Sequence, residues 1–555
     1  MLLLLACTDT PTVTQSATGA IEPVPSFERP DTGVVLDSRD TDEPAPVDTG
    51  TPPDPDPPRV LLNEIVSRND STWDGGDGSW PDWVEIYNAS AEAVPLAHLA
   101  LADSGDVLWL GSEGTLEPGA RYVIIADGNP DAGPEHAPFA LDGDGDQLTL
   151  TVESRVSDRI ALGELPRDVA WARLPDGGEW GLTIHTSAGS ENPATGDTDL
   201  DPTNLVFQLD EIIPIEIGLS DAAMASLRAS RLTWVDGSVT FPEGEFPDVQ
   251  VRLKAYVGSS RTLDQKCGFK LDLNEYDDRR WHGIETLTLN NMVQDVTYVH
   301  EYMAYTLYRE MGVPAPRQGY AWVTVNGQDY GLYLIMESID DRFLDRWYAD
   351  SSGPLFEGAY GVDLYSGYEN SFEYDEGPDS SDRSDLTELI AVLDQGSNEA
   401  VLAEVETMVD MDEFLRNMAV EAVALHWDGY TTRNNYRLYK DPTTGQFQII
   451  PWGTDQTFMT AYYGPWSGYG RLFTFCLAID SCYDRYNEIL EEATYTMDDL
   501  ELDGVATDLA DWLRPYIEID PRKEFGMSTH DYYLDYTVAT VQSYPQSVRD
   551  QLVGR

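Results

Sequence analysis

The residues best suited to chemistry lie in a single stretch, residues 426–458, which reads HWDGYTTRNNYRLYKDPTTGQFQIIPWGTDQTF. It contains two carboxylates, Asp428 and Asp455, and a carboxamide pair, Asn434 and Asn435. Phosphoryl transfer needs a base for the attacking hydroxyl and oxygen ligands for the magnesium that bridges the phosphates. We expect Asp428 to act as the base. We expect Asp455, together with Asn434 or Asn435, to bind the metal. Asp and Asn are also common turn residues, so a plain hairpin is the alternative interpretation.

The elements that must position this stretch are a helix before it and a hairpin within it. The preceding run EFLRNMAVEAVALHW is apolar on most sides, which predicts a buried helix. Asp410 and Glu413 have the spacing of a capping box at its start. Residues 436–440 and 447–451 are predicted as the two strands of the hairpin, and the second strand leads to Asp455.

The lysines indicate an anion site. The chain has five of them, and three fall within 17 residues: Lys254, Lys266, Lys270, Lys440 and Lys523. Lysine is a compact cation that suits phosphate binding. Lys266 and Lys270 are an even number of residues apart, so both side chains are expected on one face of a strand. A chance cluster on an exposed strand is the alternative.

Composition limits the class of protein. The 555 residues are 41% apolar and 11% aromatic, which predicts two or three globular domains. The formal net charge is −65, from 99 acidic and 34 basic residues. Such a surface repels nucleic acid and anionic lipid, so we expect no nucleic-acid partner. It also suits a salty extracellular setting.

The N-terminal third is predicted to form an export signal, a linker and a β-domain. Residues 1–7, MLLLLAC, resemble a partial lipoprotein signal that would lipidate Cys7 and attach the protein to a membrane. Residues 8–58 are rich in Pro, Thr and Asp and are predicted to be disordered. Residues 59–194 show short alternating runs separated by turn residues, which predicts a β-sandwich. The blocks LLNEI, DWVEIYN and RLPDGGEW resemble the lamin-tail domain, an immunoglobulin-like accessory module whose expected role is binding, here of envelope or matrix polymer.

The rest of the chain resembles a second family. The 426–458 stretch, the run PRQGYAWVTVNGQDYGLYLIMESIDDRFL and the run VRLKAYVGSSRTLDQKCGFKLDL are similar to the CotH family, the spore-coat-type secreted kinases. The resemblance implies an α+β atypical protein-kinase-like domain over residues 203–550, which uses ATP with magnesium or manganese. The implied function is an exported kinase, a lipoprotein at the cell surface or outer envelope, that acts on Ser or Thr of secreted or surface proteins.

The resemblance also implies roles for particular residues. Asp428 is the expected catalytic base. Asn434, Asn435 and Asp455 are the expected metal ligands. The expected nucleotide-binding residues are Arg261 of the GSSR loop, Lys266 or Lys270 on the following strand, Glu301 as the acid that pairs with the phosphate-binding lysine, and Glu337 where the link between lobes passes the adenine.

Two features bear on whether the site is active and where the protein works. Family members usually have Trp-Asp-x-Asp where this chain has Trp452-Gly453-Thr454-Asp455, so a non-catalytic surface scaffold is a rival hypothesis. Transfer of another group, such as AMP, is a third. Cys476 and Cys482 are close enough to form a small disulfide loop in an oxidising compartment, and Cys267 is left unpaired.

Overall fold

The computed structural model describes residues 58–76, 79–105, 107–254 and 258–553. The Cys7 motif and residues 8–57 of the expected linker lie outside the described residues. No described helix combines the length and apolar character needed to cross a membrane. The described part comprises an all-β region followed by an α+β region.

The all-β region consists of two antiparallel sheets around one core. Its strands are β1 (Val60–Val66), β2 (Trp83–Asn88), β3 (Val94–Pro95), β4 (Leu99–Ala102), β5 (Leu108–Leu110), β6 (Thr115–Leu116), β7 (Arg121–Ile125), β8 (Gln147–Val152), β9 (Arg155–Ala161), β10 (Ala170–Leu174) and β11 (Glu179–Thr183). The sheets have the orders β11-β10-β1-β2-β7 and β5-β4-β8-β9, and β3 pairs with β6. Ile86 of the first sheet and Leu150 of the second belong to the same apolar cluster. The sheets therefore face each other across a shared core, and the lamin-tail identity stays a prediction.

The all-β region is fixed to the region that follows it by apolar and polar contacts. Trp80 lies in the apolar core of the next region, with its ring centroid 5.4 Å from that of Phe246. Ser71 Oγ donates to Asp168 Oδ2 at 2.6 Å and accepts from the His282 backbone N–H at 2.6 Å. All three of these polar residues are buried. Both kinds of contact restrict movement between the two regions.

The α+β region begins with a closed seven-stranded barrel. Its strands and the two helices between them are β12 (Ile213–Leu219), α1 (Asp221–Ala229), β13 (Val235–Phe241), β14 (Gly244–Lys254), β15 (Gly268–Asp272), β16 (Thr286–Asn290), α2 (His300–Glu310), β17 (Gln318–Val325) and β18 (Gln328–Met336). The strand order is β12-β13-β14-β15-β16-β18-β17, and a parallel β12–β17 pair closes the barrel. Val251 and Leu253 of β14 fill the barrel core. Because side chains alternate along a strand, Arg252 and Lys254 point outward.

A four-stranded sheet and several helices complete the region. These elements are α3 (Asp341–Trp347), β19 (Leu355–Gly358), β20 (Phe372–Glu376), α4 (Ser384–Leu393), α5 (Glu399–Val405), α6 (Met411–Val423), β21 (Tyr436–Lys440), β22 (Phe447–Pro451), α7 (Arg471–Leu477), α8 (Asp480–Asp499), α9 (Leu502–Ile519) and α10 (Met527–Leu552). The sheet has the order β20-β19-β21-β22. Helix α6 is buried on most sides and packs against α2, α8 and β22. It therefore forms a rigid support behind the β21–β22 hairpin.

Several local predictions are confirmed. Strands β21 and β22 occupy residues 436–440 and 447–451. Cys476 and Cys482 form a disulfide. The capping box is only half formed: the Asp410 side chain accepts from the Glu413 N–H, whereas the Glu413 carboxylate accepts from Ile449 N on β22 instead of turning back to Asp410.

Candidate active site

The loop between α6 and β21 brings Asp428 and the two asparagines together. Asn434 Nδ2 donates to Asp428 Oδ1 at 3.1 Å, and Asn435 Nδ2 donates to Asp428 Oδ2 at 3.2 Å and to the Asp428 carbonyl at 3.0 Å. Burial raises the pKa of Asp428 above its usual range, although both asparagine amides oppose the shift. Because each amide turns its nitrogen toward Asp428, the Oδ1 atoms of Asn434 and Asn435 remain as acceptors.

The backbone of this loop makes that arrangement possible. Arg433 and Asn435 both adopt the left-handed region, with φ of 59° and 48°. Asparagine tolerates this conformation better than most residues. The Asn435 carbonyl accepts from the Trp452 N–H at 3.0 Å, which joins the loop to the chain beyond β22. The asparagine at position 435 therefore suits the bend that places its own side chain against Asp428.

Asp455 lies close to the same cluster. His300 Nδ1 is 3.3 Å from the Asp455 carbonyl, and this contact fixes the backbone of Asp455. Burial raises the pKa of the Asp455 carboxyl to about 7; the carboxylates of Asp295 and Asp428 add to the shift, and Lys254 opposes it. A carboxylate with a raised pKa beside other acids is a place where a cation would be stabilised.

Lys254, at the end of β14, is the lysine that faces Asp455 and Glu301. Burial lowers the pKa of the Lys254 ammonium, and the nearby Glu301 and Asp455 carboxylates oppose that shift. Burial raises the pKa of Glu301 to about 8, and Asn290 Nδ2 donates to its Oε2 at 2.6 Å. Glu301 thus lies beside a lysine, as expected, but that lysine is Lys254, which sequence reasoning did not select.

Lys254 belongs to a row of three cations on one outer face of the barrel. Arg252 and Lys254 are two residues apart on β14, and Lys270 of β15 lies directly opposite Arg252 in the antiparallel register. Among the described residues, none of the three has a carboxylate within ion-pair distance. Burial, and then the charges of Arg252 and Arg437, lower the pKa of Lys270. Like charges placed directly opposite destabilise a sheet, so this row, named the cation row here, favours an anionic ligand.

The cation row extends toward the hairpin through an aromatic side chain. The Trp452 ring lies between two cations, with Lys254 Nζ 5.3 Å and the Arg437 guanidinium 5.1 Å from its centroid. Arg437 itself is paired with Glu357 and Asp375, both at 2.8 Å. The barrel and the hairpin therefore meet at Trp452, whose backbone N–H donates to the Asn435 carbonyl of the Asp428 loop.

The structure places three other predicted residues in different surroundings. Lys266 precedes β15 and forms an ion pair with Asp520, and both side chains are at most 1% exposed. The prediction that Lys266 and Lys270 share a strand face is therefore wrong, because the strand begins only at Gly268. Arg261 pairs with Glu524 and donates to the Gly258 and Ser260 carbonyls.

Glu337 also differs from the expectation drawn for it. Its carboxylate is shared by Arg317 and Arg346 at 2.7 and 2.5 Å. It lines a cavity of about 430 Å³ together with linker residues 199–203 and helix α3, and no residue of the 426–458 stretch lines that cavity. The Glu337 side chain is thus part of an ion-pair cluster at the junction of the two regions.

Gly453 has a structural reason for being glycine. Its φ is +60°, and a Cβ there would lie 2.8 Å from both Cγ and Nδ2 of Asn435. Such an approach is too close for any side chain without movement of Asn435. Family members usually have an aspartate at this position. The glycine here leaves room for the Asn435 amide, which donates to Asp428.

No group of three or more His, Cys, Asp or Glu side chains among the described residues is arranged to hold a metal ion. The Asp428 and Asp455 cluster contributes two carboxylates, and its other oxygen ligands are the amides of Asn434 and Asn435. A divalent cation here would therefore depend on amide oxygens and on ligands from a bound phosphate.

Comparison with known proteins gives related sequences and solved structures. Inner spore coat protein H of Bacillus subtilis (strain 168) is 26% identical over 322 residues, which cover 54% of this chain and 86% of the relative. Invasin CotH2 of Rhizopus delemar is 26% identical over 187 residues, 31% of each chain. A Shewanella oneidensis MR-1 toxin–antitoxin HipA, HipB and operator DNA complex aligns at 14% identity, covering 60% of this chain and 82% of that one. The Helicobacter pylori proinflammatory kinase CtkA aligns at 9% identity, covering 54% and 94%.

Both structural alignments have a TM-score of 0.26, which is too low to bear on the fold. The family comparison is more extensive. Residues 255–550, just over half of the chain, match the family described as CotH kinase protein. These residues include Lys270, Glu301 and the whole of the 426–458 stretch. The chain therefore belongs to the CotH kinase protein family.

Proposed function

We propose that this protein is an exported ATP-dependent protein kinase that phosphorylates Ser or Thr hydroxyls on secreted or surface proteins. The observation that carries the proposal is the position of Lys254, which belongs to the cation row and lies beside Asp455 and, through it, Asp428. Phosphoryl transfer uses this combination, because it depends on positioning and on neutralising charge around the transferred group.

The cation row fits the phosphates of ATP. Its three positive side chains lie on the neighbouring strands β14 and β15 and repel one another. Among the described residues, no carboxylate forms an ion pair with them. A triphosphate would supply the missing negative charge. Glu301 beside Lys254 would hold that lysine in place, and Asn290 in turn holds Glu301.

The oxygen atoms of the loop and of Asp455 fit a hard divalent cation such as magnesium or manganese. The Oδ1 atoms of Asn434 and Asn435 and the Asp455 carboxylate are the ligands this chain would provide. When bound, the metal would neutralise phosphate charge and stabilise the charge that develops during transfer. Burial and the neighbouring acids raise the pKa of Asp455 to about 7, so a cation beside it would stabilise its charged form.

Asp428 is the residue that would act on the acceptor hydroxyl. Both of its carboxylate oxygens accept an asparagine amide, which fixes the plane of the carboxylate, and each keeps a lone pair for a hydroxyl. The raised pKa of Asp428 makes it a better proton acceptor than an exposed aspartate. Asp428 would therefore orient the hydroxyl and accept its proton as the hydroxyl oxygen bonds to the γ-phosphorus and the bond from that phosphorus to ADP breaks.

The setting we propose is the cell surface. The relatives are described as a spore coat protein and an invasin, and the Cys476–Cys482 disulfide is typical of an oxidising compartment. A lipid anchor at Cys7 would hold the protein there, and the all-β region would bind envelope or matrix polymer.

Two alternatives make different predictions for the same assay. The purified protein is incubated with a secreted-protein fraction and ATP labelled at the γ- or the α-phosphate, with magnesium or manganese. Label from γ-ATP alone supports the kinase. Label from α-ATP indicates AMP transfer. No label from either, with no ATP binding, overturns the enzyme proposal and favours the surface scaffold that Gly453 suggested.

A further inference from the structure

Helix α6 carries a buried carboxylate whose partners lie mostly in the Asp428 loop. Glu421 is 4% exposed. Its Oε1 accepts the Tyr430 N–H at 2.7 Å and the Asn417 Nδ2 at 3.3 Å. Its Oε2 accepts the Thr431 N–H at 2.8 Å and the Thr431 hydroxyl at 2.6 Å. Three of the four donors belong to the loop that follows Asp428.

These contacts supply what the loop lacks. Tyr430–Thr432 form one 3₁₀ turn, and the residue before it, Gly429, has no side chain to cap the turn. The first N–H groups of such a turn need acceptors when they are buried. Glu421 provides both acceptors from a different element, so α6 holds the start of the turn.

The same residue also holds the chain on the other side of Asp428. The Glu421 backbone carbonyl accepts from the His426 N–H at 2.8 Å. A Cβ on Gly429 would lie 2.5 Å from Glu421 Oε1 and 2.6 Å from His426 Cδ2, so the chain can pass this close to Glu421 only as glycine. The segment from His426 to Thr431 therefore wraps around Glu421, and Asp428 is at the middle of that wrap.

We infer that Glu421 is a positioning residue that fixes the Asp428 carboxylate for transfer. This inference rests on the proposed kinase function. Glu421 has no hydrogen bond to Asp428 and acts through the backbone and the Thr431 hydroxyl of the loop. Burying a carboxylate is costly unless it is hydrogen-bonded, and here the hydrogen bonds restrain the one loop that carries the base.

The variant that tests the inference is Glu421→Gln, which keeps the shape of the side chain but replaces one acceptor oxygen with an NH₂ donor. That donor would face an N–H of the loop, so at least one backbone bond is lost. Displacement of a catalytic group by about 1 Å lowers transfer about 100-fold. We expect kcat to fall between about 10- and 100-fold while the KM for ATP stays within about threefold, because Lys254 and Asp455 are untouched.

The chain offers a matched control on the same helix. Glu413 is also 4% exposed and accepts a backbone N–H, that of Ile449 on β22, at 3.0 Å. Glu413→Gln carries the same chemical change but does not contact the Asp428 loop. The amide oxygen of Glu413→Gln can still accept the Ile449 N–H, so this variant shows what neutralising a buried α6 carboxylate does without loss of a loop hydrogen bond. We expect Glu413→Gln to lower the melting temperature less than Glu421→Gln does and to leave kcat within about threefold of the parent.

A second measurement does not need activity. Hydrogen exchange, followed by mass spectrometry of a peptide that contains Tyr430 and Thr431, reports the two amides that donate to Glu421. We expect at least tenfold faster exchange there in Glu421→Gln and no change there in Glu413→Gln. Thr431→Val, which removes only the hydroxyl contact, should give a smaller kcat loss that does not add to that of Glu421→Gln.

The outcomes separate the inference from the proposed function. If the parent transfers no phosphate, the proposed function fails, and exchange alone decides whether Glu421 holds the loop. Unchanged exchange in Glu421→Gln overturns the inference, and so does equal loss of kcat in Glu421→Gln and Glu413→Gln. A kcat loss confined to Glu421→Gln together with faster loop exchange supports it.

Discussion

Gly453 gives a prediction that runs against the family pattern. Replacing it by the usual aspartate would be expected to restore a metal ligand, whereas the structure predicts damage. A non-glycine residue at φ of +60° costs about 1 kcal/mol. The new Cβ would also displace the Asn435 amide, which makes two hydrogen bonds to Asp428 worth about 1 kcal/mol each.

The free-energy cost of displacing the Asn435 amide can be measured separately with a control glycine in the same hairpin. Gly445 has φ of +74°, and a Cβ added there would have no atom within 4 Å, so Gly445→Ala has only the backbone cost of about 1 kcal/mol. Gly453→Ala should cost about 2 to 3 kcal/mol in the free energy of unfolding because it adds the displacement of Asn435. Gly453→Asp should cost at least as much and should lower phosphate transfer.

The assay is thermal unfolding of the single variants and of a double variant with Asn435→Ala. Once the Asn435 amide is gone, Gly453→Ala should cost no more than Gly445→Ala, so the two changes should be non-additive by about 1 to 2 kcal/mol. Equal costs for Gly453→Ala and Gly445→Ala with Asn435 present would refute the reasoning. Higher transfer by Gly453→Asp would show instead that a carboxylate at this position can serve as a metal ligand.

Three further predictions concern charge, protons and the disulfide. Lys270→Met should raise the free energy of unfolding of the nucleotide-free protein by up to about 1 kcal/mol, since it removes the charge opposite Arg252, and should weaken ATP binding about tenfold by calorimetry. The pKa of Asp455 is raised from 3.8 to about 7, so the stability it contributes is complete below about pH 4 and is lost as pH rises through about 7; Asp455→Asn should flatten the decline in urea stability over that range. Replacing Cys476 and Cys482 by serine, six residues apart, should cost about 2 kcal/mol in urea unfolding.

Each of these has a result that would count against it. Lower stability in Lys270→Met would contradict the repulsion between Lys270 and Arg252, and unchanged ATP affinity would mean that Lys270 does not bind the nucleotide phosphates. An unaltered pH dependence in Asp455→Asn would show that other buried acids, such as Glu301, account for the decline. Parent protein that loses no stability in reductant would contradict the role given to the disulfide.

The parts of the site that could be predicted from sequence are those that are close along the chain. Asp428 and the two asparagines are separated by a few residues, and the alternation of Tyr436–Lys440 identifies the strand that follows them. The disulfide could be predicted because its cysteines are six residues apart. In these cases spacing and turn chemistry determine the local geometry.

The lysine beside Glu301 could not be predicted, because its partners come from distant segments. In the structure, Glu301 on α2 and Asp455 beyond β22 lie near the Lys254 ammonium and oppose the lowering of its pKa by burial. The sequence gives Lys266 the same expected role as Lys270. In the structure, however, Lys266 forms a buried ion pair with Asp520, which follows α9. Even spacing of Lys266 and Lys270 indicates one strand face only if both lie in the strand, and β15 begins too late for that.

The most direct test of the proposed site compares the parent with Asp428→Asn and Asp455→Asn, measuring phosphate transfer from γ-labelled ATP and magnesium-dependent ATP binding on the same samples. We expect Asp428→Asn to bind ATP within about threefold of the parent and to transfer phosphate less than about 1% as fast, because only the base is lost. We expect Asp455→Asn to lose both transfer and the magnesium dependence of binding. Transfer by Asp428→Asn at the parental rate, or undiminished magnesium-dependent binding by Asp455→Asn, would contradict the roles proposed for these two carboxylates.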